Sequence, residues 1–290
     1  MRAKQQDAAS AAEPNSSTVV DGMVERILRG MIASGAWDVP TCTVGCDCRP
    51  FIEKVYATTA AHAAVARRAA TESAVLLKNS PPAGAARPAL PLRRGMRVGL
   101  VGRACYAPPH IDLRTASWMQ GDYYVIGGSG RVVASPNRTR SVHQALVARE
   151  VDVVLSPNDS VPAALAVAYA GVDVLIACGG ATTTEAKDRE SLQLDQHQFL
   201  HALGANLSAT PAAPALITLA MAPGHFDATW AVNSSAAMVM FLGGEGTGEA
   251  LADLLLGTES PSGKLPLTLP LNASDMVQPC TTANCSYDEG

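Results

Sequence analysis

The sequence predicts an α/β fold: a mostly parallel sheet flanked by helices and preceded by a helical linker. Three observations predict it. Short apolar runs recur at residues 96–102, 151–155, 172–179, 215–221 and 237–242, and most of them stop at glycines followed by polar residues, as buried strands do. Stretches with helical apolar spacing alternate with these runs, the order of a parallel sheet with helices on both faces. No internal repeat is present.

Taken in order, residues 1–18 are rich in Ala, Ser and Gln and read as disordered. Val20, Val24, Ile27, Leu28 and Met31 give helical spacing to residues 20–33, and Gly35 ends the helix. The cysteine-rich stretch 41–50 reads as a surface loop. Residues 55–78 read as one long Ala-rich helix with Arg67 and Arg68 on its polar side, broken by Ser80-Pro81-Pro82. The strand 96–102 leads into a long loop over 103–130. Helices are predicted over 140–150 and 162–169 on either side of strand 151–155. The strand 172–179 is followed by a polar loop and then, over 192–200, by helical spacing. A last helix spans 245–256, with Ala250, Leu251, Leu254 and Leu255 inward. The domains expected are a disordered start (1–18), a helical linker region (19–68), the α/β domain (69–272) and a Cys-containing tail (273–290).

The 290 residues carry a net charge of -4, so no basic surface marks the chain as a nucleic-acid binder. No apolar run reaches the roughly 18 residues a membrane helix needs, and the polar N-terminal residues contain no signal-peptide core. Seven of the eight asparagines nevertheless lie in Asn-x-Ser/Thr sequons: Asn15, Asn137, Asn158, Asn206, Asn233, Asn272 and Asn284. Such sequons matter only in secreted chains, so a secretory-pathway protein is expected. The seven cysteines are an odd count, which leaves at least one thiol unpaired within the chain. Cys280 and Cys285 are candidates for a bridge, and Cys178, at the end of an apolar strand, reads as a buried small hydrophobe.

Most recognisable motifs fail on spacing. Residues 257–264 look like a phosphate loop, but five residues separate the glycines, Leu265 replaces Ser or Thr, and a helix precedes the loop. No dinucleotide fingerprint follows the first strand. Gly244-Glu245-Gly246-Thr247-Gly248 opens a helix, but small residues there also serve close packing. His197 and His201 stand four apart on a predicted helix with no neighbouring Glu or third ligand, and read as surface or partly packed histidines. No cofactor and no metal are therefore expected. The loop after strand 172–179 remains. In open α/β sheets ligands bind beyond the carboxyl ends of strands, and Glu185, Asp188 and Arg189 fall there. A carboxyl near an apolar strand end can have its pKa raised by desolvation and act as a general acid. Arg189 is expected to pair with Asp188 and fix the loop.

Several stretches together resemble the linker and C-terminal domain of family 3 glycoside hydrolases, the β-glucosidases and β-xylosidases. They are Ala69 to Asn79 followed by Leu90-Pro91-Leu92 and Val98 to Gly102; Met119-Gln120-Gly121-Asp122-Tyr123-Tyr124; Glu185-Ala186-Lys187-Asp188-Arg189 with Leu192, Leu194 and Gln198; Gly224 to Trp230; Leu242 to Gly257; and Ser260 to Thr268. Arg26-Ile27-Leu28 with Gly35-Ala36-Trp37-Asp38 is similar to the family's linker. Asp195 stands where the pattern has proline.

The resemblance implies a retaining glycosidase, with one carboxylate as nucleophile and one as acid/base, about 5 Å apart. In the family the nucleophile is an aspartate on a preceding (β/α)8 barrel, and no segment of this chain resembles that barrel. Glu185 is the acid/base candidate. Counted from Gly179 it falls at the xylosidase-type acid/base position; counted back from Asp188-Arg189 it falls at the glutamate of the family's EGxDR. Asp188, Arg189, Tyr123 and Tyr124 are the substrate-binding candidates, although the tyrosines equally suit packing. The expected partners are a β-linked oligosaccharide or glycoside and the barrel domain. The alternatives are a non-catalytic carbohydrate-binding or scaffold module and, less well supported by the motifs, a nucleotide-binding doubly wound protein.

Overall fold

The computed structural model describes residues 16–38, 58–82, 84–106, 119–132, 139–270 and 273–275. The chain divides into two units, Met1–Ala57 and Thr58–Gly290. The predicted loop at 41–50, the bridge candidates Cys280 and Cys285, and the sequons at 15, 137, 272 and 284 lie outside the described residues.

Among the described residues the first unit contributes one helix, α1 (Ser16–Ala33). It begins inside the stretch read as disordered, so Ser16 to Thr18 are helical. Its apolar stripe is exposed: Val20, Val24, Ile27 and Met31 all face solvent.

The second unit is an α/β sandwich. Its elements are α2 (Ala60–Ser73), β1 (Val75–Asn79), β2 (Arg97–Val101), α3 (Val142–Val147), β3 (Asp152–Ser156), α4 (Val161–Ala168), β4 (Val174–Gly180), α5 (His197–Ser208), β5 (Ala215–Met221), β6 (Ala236–Met240) and α6 (Thr247–Leu256). Among the described residues the sheet has six strands in the order β1-β6-β5-β4-β2-β3. β2 to β6 run parallel, and β1 pairs antiparallel with β6. The strands alternate sides as a pleat requires. Val174, Ile176 and Cys178 of β4 join α3 and α6 in one core layer. Leu175 and Ala177 join α4 and α5 in the other. Full burial of side chains such as Ile176 and Leu203 stabilises by about 1.5–3 kcal/mol each.

Two elements depart from the sequence reading. The Ala-rich pattern over 55–78 is a helix only to Ser73. Thr59 and His62 cap its start reciprocally, and Ala74 turns the chain into extended backbone. Val75-Leu76-Leu77 suits a helix face and a strand equally, and pairing with β6 decides for the strand. The helix predicted over 192–200 begins only at His197 and continues to Ser208. Residues 192–196 are instead tied across the sheet end, with Asp195 N–H donating to Gly180 O at 2.9 Å.

α2 is fastened to α6 by charge. Arg67 donates to both carboxylate oxygens of Asp253 at 2.7 and 2.6 Å, and Arg149 donates to it at 2.8 Å. The end of α2 meets the segment after α6: Ser262 Oγ donates to Glu72 O at 3.2 Å, and Gly263 N–H to Ala74 O at 3.1 Å.

Cys178 is not a free hydrophobe. It forms a disulfide with Cys105, which sits in the 3-10 turn after β2, with Cα atoms 5.2 Å apart. β2 and β4 are neighbours, so the turn folds back over the end of β4. The run of apolar residues around Cys178 carries no trace of that partner, 73 positions away.

Candidate active site

At the carboxyl end of the parallel strands two loops lie against each other. The first, residues 119–132, is locked from within. Asp122 accepts from the backbone N–H groups of Tyr124 and Val125 at 2.7 and 2.9 Å. Arg131, almost wholly buried, pairs with Asp122 at 2.6 Å and donates to Gln120 O at 2.6 Å. The second, residues 181–195, follows β4. Gly127 N–H donates to Thr183 O at 2.9 Å, Glu185 N–H donates to Gly127 O at 3.2 Å, and Thr184 Oγ1 donates to Met119 O.

Glu185 is exposed on this rim. Its carboxylate accepts from the Ser129 N–H at 2.7 Å and from the Ser129 hydroxyl. These two bonds, the hydroxyl's first, hold the carboxyl below the usual range, because both favour the ionised form. A carboxyl raised by desolvation, the expectation from its place after an apolar strand, is the opposite. That effect is present but small, since the side chain is in water. Gly128 makes the approach possible. Its φ is +104°, and a Cβ there would stand 2.4 Å from Glu185 Cβ.

Asp188 and Arg189 line a cleft of about 590 Å³, walled also by Gln120, Thr183, Lys187 and Asp195. Glu185 is not among its lining residues. Arg189 does not pair with Asp188. Its guanidinium donates to His225 O at 2.7 Å and to Gln193 O at 3.0 Å. Partial burial lowers its pKa, with Asp195 acting in the other direction. Asp188 is exposed. Arg189 thus stitches the cleft wall to the loop after β5, and Asp188, Glu190 and Asp195 are the exposed carboxylates that line the cleft.

Both tyrosines pack. Tyr124 is 1% exposed, and burial raises its pKa. The Tyr123 ring covers Gly180, where a Cβ would meet Tyr123 Cδ1 at 2.4 Å. The Tyr123 hydroxyl donates to Asp195 Oδ2 at 2.8 Å and accepts from Gln196 Nε2 at 3.1 Å. Burial pushes its pKa up to about 12.

Sequence reasoning missed Gln196, Ser129 and Asp159. Gln196 is buried; its Oε1 accepts from Gly180 N–H at 2.8 Å, and its Nε2 reaches Asp159 Oδ2 at 3.3 Å. Asp159 in turn accepts from Arg103 N–H at 2.8 Å and pairs with its guanidinium at 3.0 Å. This polar chain ties the ends of β2, β3 and β4 beneath the cleft. The motif reading singled out Gln198, which is exposed. Gln196 falls at a position that motif leaves open, so no sequence signal marked it.

Two histidines lie nearby. His197 is 6% exposed and its ring centroid stands 4.6 Å from that of His201. Burial lowers its pKa; Asp227 opposes and His201 reinforces that shift. A separate cleft of about 870 Å³ opens between α2 and α6, walled by Arg67, Arg140 and Arg149 against Glu249 and Asp253. Its charges are matched in ion pairs. No helix among the described residues is long and apolar enough to cross a membrane.

Comparison with known proteins gives consistent matches. The glycosyl hydrolase family 3 C-terminal domain matches residues 74–290. The exo-α-(1→6)-L-arabinopyranosidase of Bifidobacterium longum is 29% identical over 251 residues, 79% of this chain and 30% of that protein. β-D-xylosidase 1 of Arabidopsis thaliana is 30% identical over 220 residues, 72% of this chain and 26% of its own length. Among solved structures, the β-D-glucoside glucohydrolase of Trichoderma reesei superposes with a TM-score of 0.65 at 24% identity, covering 80% of this chain and 34% of that one, and shares the fold. The chain therefore spans about a third or less of the proteins it matches.

Proposed function

Because the chain belongs to glycosyl hydrolase family 3 and carries that family's C-terminal domain over residues 74–290, we propose that it supplies the acid/base half of a β-glycosidase site. Its relatives are glycoside hydrolases, named as β-glucosidases, a β-xylosidase and arabinopyranosidases. The observation that carries the reading is the position of Glu185. It is exposed at the carboxyl rim of a parallel sheet, beside a cleft that holds Asp188 and Arg189. Ligands bind at such rims in open α/β sheets.

In this reading a sugar enters between the cleft and a (β/α)8 barrel domain. Glu185 protonates the departing glycosidic oxygen, while an aspartate of the barrel attacks the anomeric carbon from the opposite face. Water then resolves the glycosyl intermediate, with Glu185 as base. Glu185 must first leave Ser129 and lose water, since its pKa is now held low. Closure of a barrel over the rim supplies that desolvation. The exposed stripe of α1 supports a further partner surface. Asp188 and the Arg189-braced wall shape the sugar pocket.

A second reading is favoured by one observation: Glu185 is bonded to Ser129 and lies outside the lining of the cleft. In that reading the domain binds carbohydrate without turning it over. For localisation, the sequon residues Asn158, Asn206 and Asn233 are exposed. With the Cys105–Cys178 disulfide, they support a secretory-pathway protein.

The test is hydrolysis of p-nitrophenyl β-glucoside, β-xyloside and α-L-arabinopyranoside by the purified chain, alone and with a family 3 barrel domain added in trans, alongside calorimetric titration with glucose and xylose. No turnover is expected alone. Turnover with the barrel that Glu185→Gln removes supports the proton-donor reading, and turnover that survives Glu185→Gln refutes it. Sugar binding without turnover, unchanged in Glu185→Ala, selects the binding module.

A further inference from the structure

We propose that His197, His201 and Asp227 form a zinc-type metal site joining the start of α5 to the loop after β5. The sequence offers the two histidines and no third ligand; the fold brings one from thirty positions away in His197's case, on a different element. One ligand atom from each of the three lies within 4.8 Å of the others.

His197 and His201 stand one helical turn apart, so both rings project from the same face of α5. Residues 224–230 pass over that face. Asp227 N–H donates to Leu192 O at 2.9 Å, which fixes the loop against the segment that leads into α5. Asp227 Oδ1 accepts from Thr229 N–H at 2.9 Å and from Thr229 Oγ1 at 2.5 Å. Its other oxygen, Oδ2, faces His197 Nε2 at 3.7 Å, too far for a hydrogen bond. The carboxylate is thus oriented by one oxygen and presents the other.

His197 carries the second observation. It is more than nine-tenths buried, its Nδ1 has no hydrogen-bond partner, and its Nε2 is aimed at Asp227 across a gap too long to bond. Buried polar side chains are normally satisfied; Nε2 has only the 3.7 Å approach to the carboxylate, a gap that an ion would fill, with the ring proton then carried on Nδ1. Two imidazoles and one carboxylate suit zinc or a similar late first-row ion. They do not suit calcium or magnesium, which take oxygen ligands. Bonds of roughly 2.0–2.1 Å imply about 3.3 Å between ligand atoms, so the three groups must close around the ion. His201 and Asp227 are only partly buried and free to do so. His201 exchanges its 2.9 Å contact with Thr229 Oγ1 for the metal. Because Arg189 is anchored on His225 O, the metal would also brace the loop that holds the cleft wall.

The chain, purified without a histidine tag and stripped with EDTA, is titrated with Zn²⁺ and Co²⁺ by calorimetry and visible absorption. One equivalent should bind, with a four-coordinate Co²⁺ spectrum, and Zn²⁺ but not Mg²⁺ or Ca²⁺ should raise Tm. His201→Gln and Asp227→Asn should each weaken binding by more than the roughly 10–100-fold that loss of an outer partner costs. His62→Gln, on exposed α2 surface, should leave it unchanged. Circular dichroism reports whether each variant folds. If either ligand variant does not fold, paramagnetic broadening of the His197 and His201 ring signals by Co²⁺ in the unaltered chain decides the assignment. No one-equivalent binding, binding that survives both substitutions, or ring signals left sharp overturns the proposal.

Discussion

Ser129 holds the Glu185 carboxylate with both its backbone N–H and its hydroxyl. One residue therefore sets the protonation of the candidate acid. Ser129→Ala removes the larger of the two causes and should raise the Glu185 pKa toward an ordinary carboxylate value, read from the side-chain carbon shift in an NMR titration. Because the folded pKa is depressed, the stabilisation belongs to the ionised form. It is complete above the ordinary carboxylate pKa and disappears as pH falls through the folded value. Ser129→Ala should flatten that acid-side loss. An unchanged titration would mean that the hydroxyl does not govern Glu185.

Gly128→Ala should disturb the same rim by a different cause. The new Cβ would meet Glu185 Cβ at 2.4 Å on backbone at φ +104°. A cost of about 1–3 kcal/mol is expected for the strained conformation. Gly130→Ala meets only Ile126 Cδ1 at 3.6 Å, an ordinary contact, and should fall within about 0.5 kcal/mol of the parent. Urea denaturation compares the two, and equal effects would contradict the geometry.

Asp253→Asn should destabilise the α2–α6 seam. Asp253 is 4% exposed and accepts from both Arg67 and Arg149. Breaking a fully buried pair costs about 3–5 kcal/mol. Arg67 remains 44% exposed, so solvent screens part of the loss and about 2–3 kcal/mol is expected. Thermal unfolding measures it. A neutral result would make the network a surface feature.

Replacing both Cys105 and Cys178 by alanine removes a cross-link between residues 73 apart. Loosening the unfolded chain by that loop lowers stability by about 4 kcal/mol in the chain-entropy account, an upper figure. The measurement is the urea midpoint of the double variant against the oxidised parent. Equal midpoints would show that the bridge does not form in solution.

The parallel core was legible because Val174 to Cys178, Ala215 to Met221 (Thr218 apart) and Ala236 to Met240 are apolar runs that suit a sheet covered on both faces. Ala250, Leu251, Leu254 and Leu255 are buried in α6 as their spacing predicts. β1 was not legible. Val75-Leu76-Leu77 continues the period of the Ala-rich helix before it, and only the distant β6 breaks the tie. At the site, the rim position of Glu185 followed from a strand ending at glycine. Its partner did not, because Ser129 comes from a loop without periodicity. Arg189 was expected on the neighbouring Asp188, but a guanidinium on a tight loop reaches across to a carbonyl more readily than back along its own backbone. Asp227 and His197 meet through chain folding alone, which local spacing does not encode.

Glu72 and Ala74 receive hydrogen bonds from Ser262 and Gly263. The hand-over from α2 to β1 is thereby latched by the segment that follows α6. Because β1 is the edge strand and pairs only with β6, releasing that latch would free the antiparallel edge first and leave the five parallel strands paired.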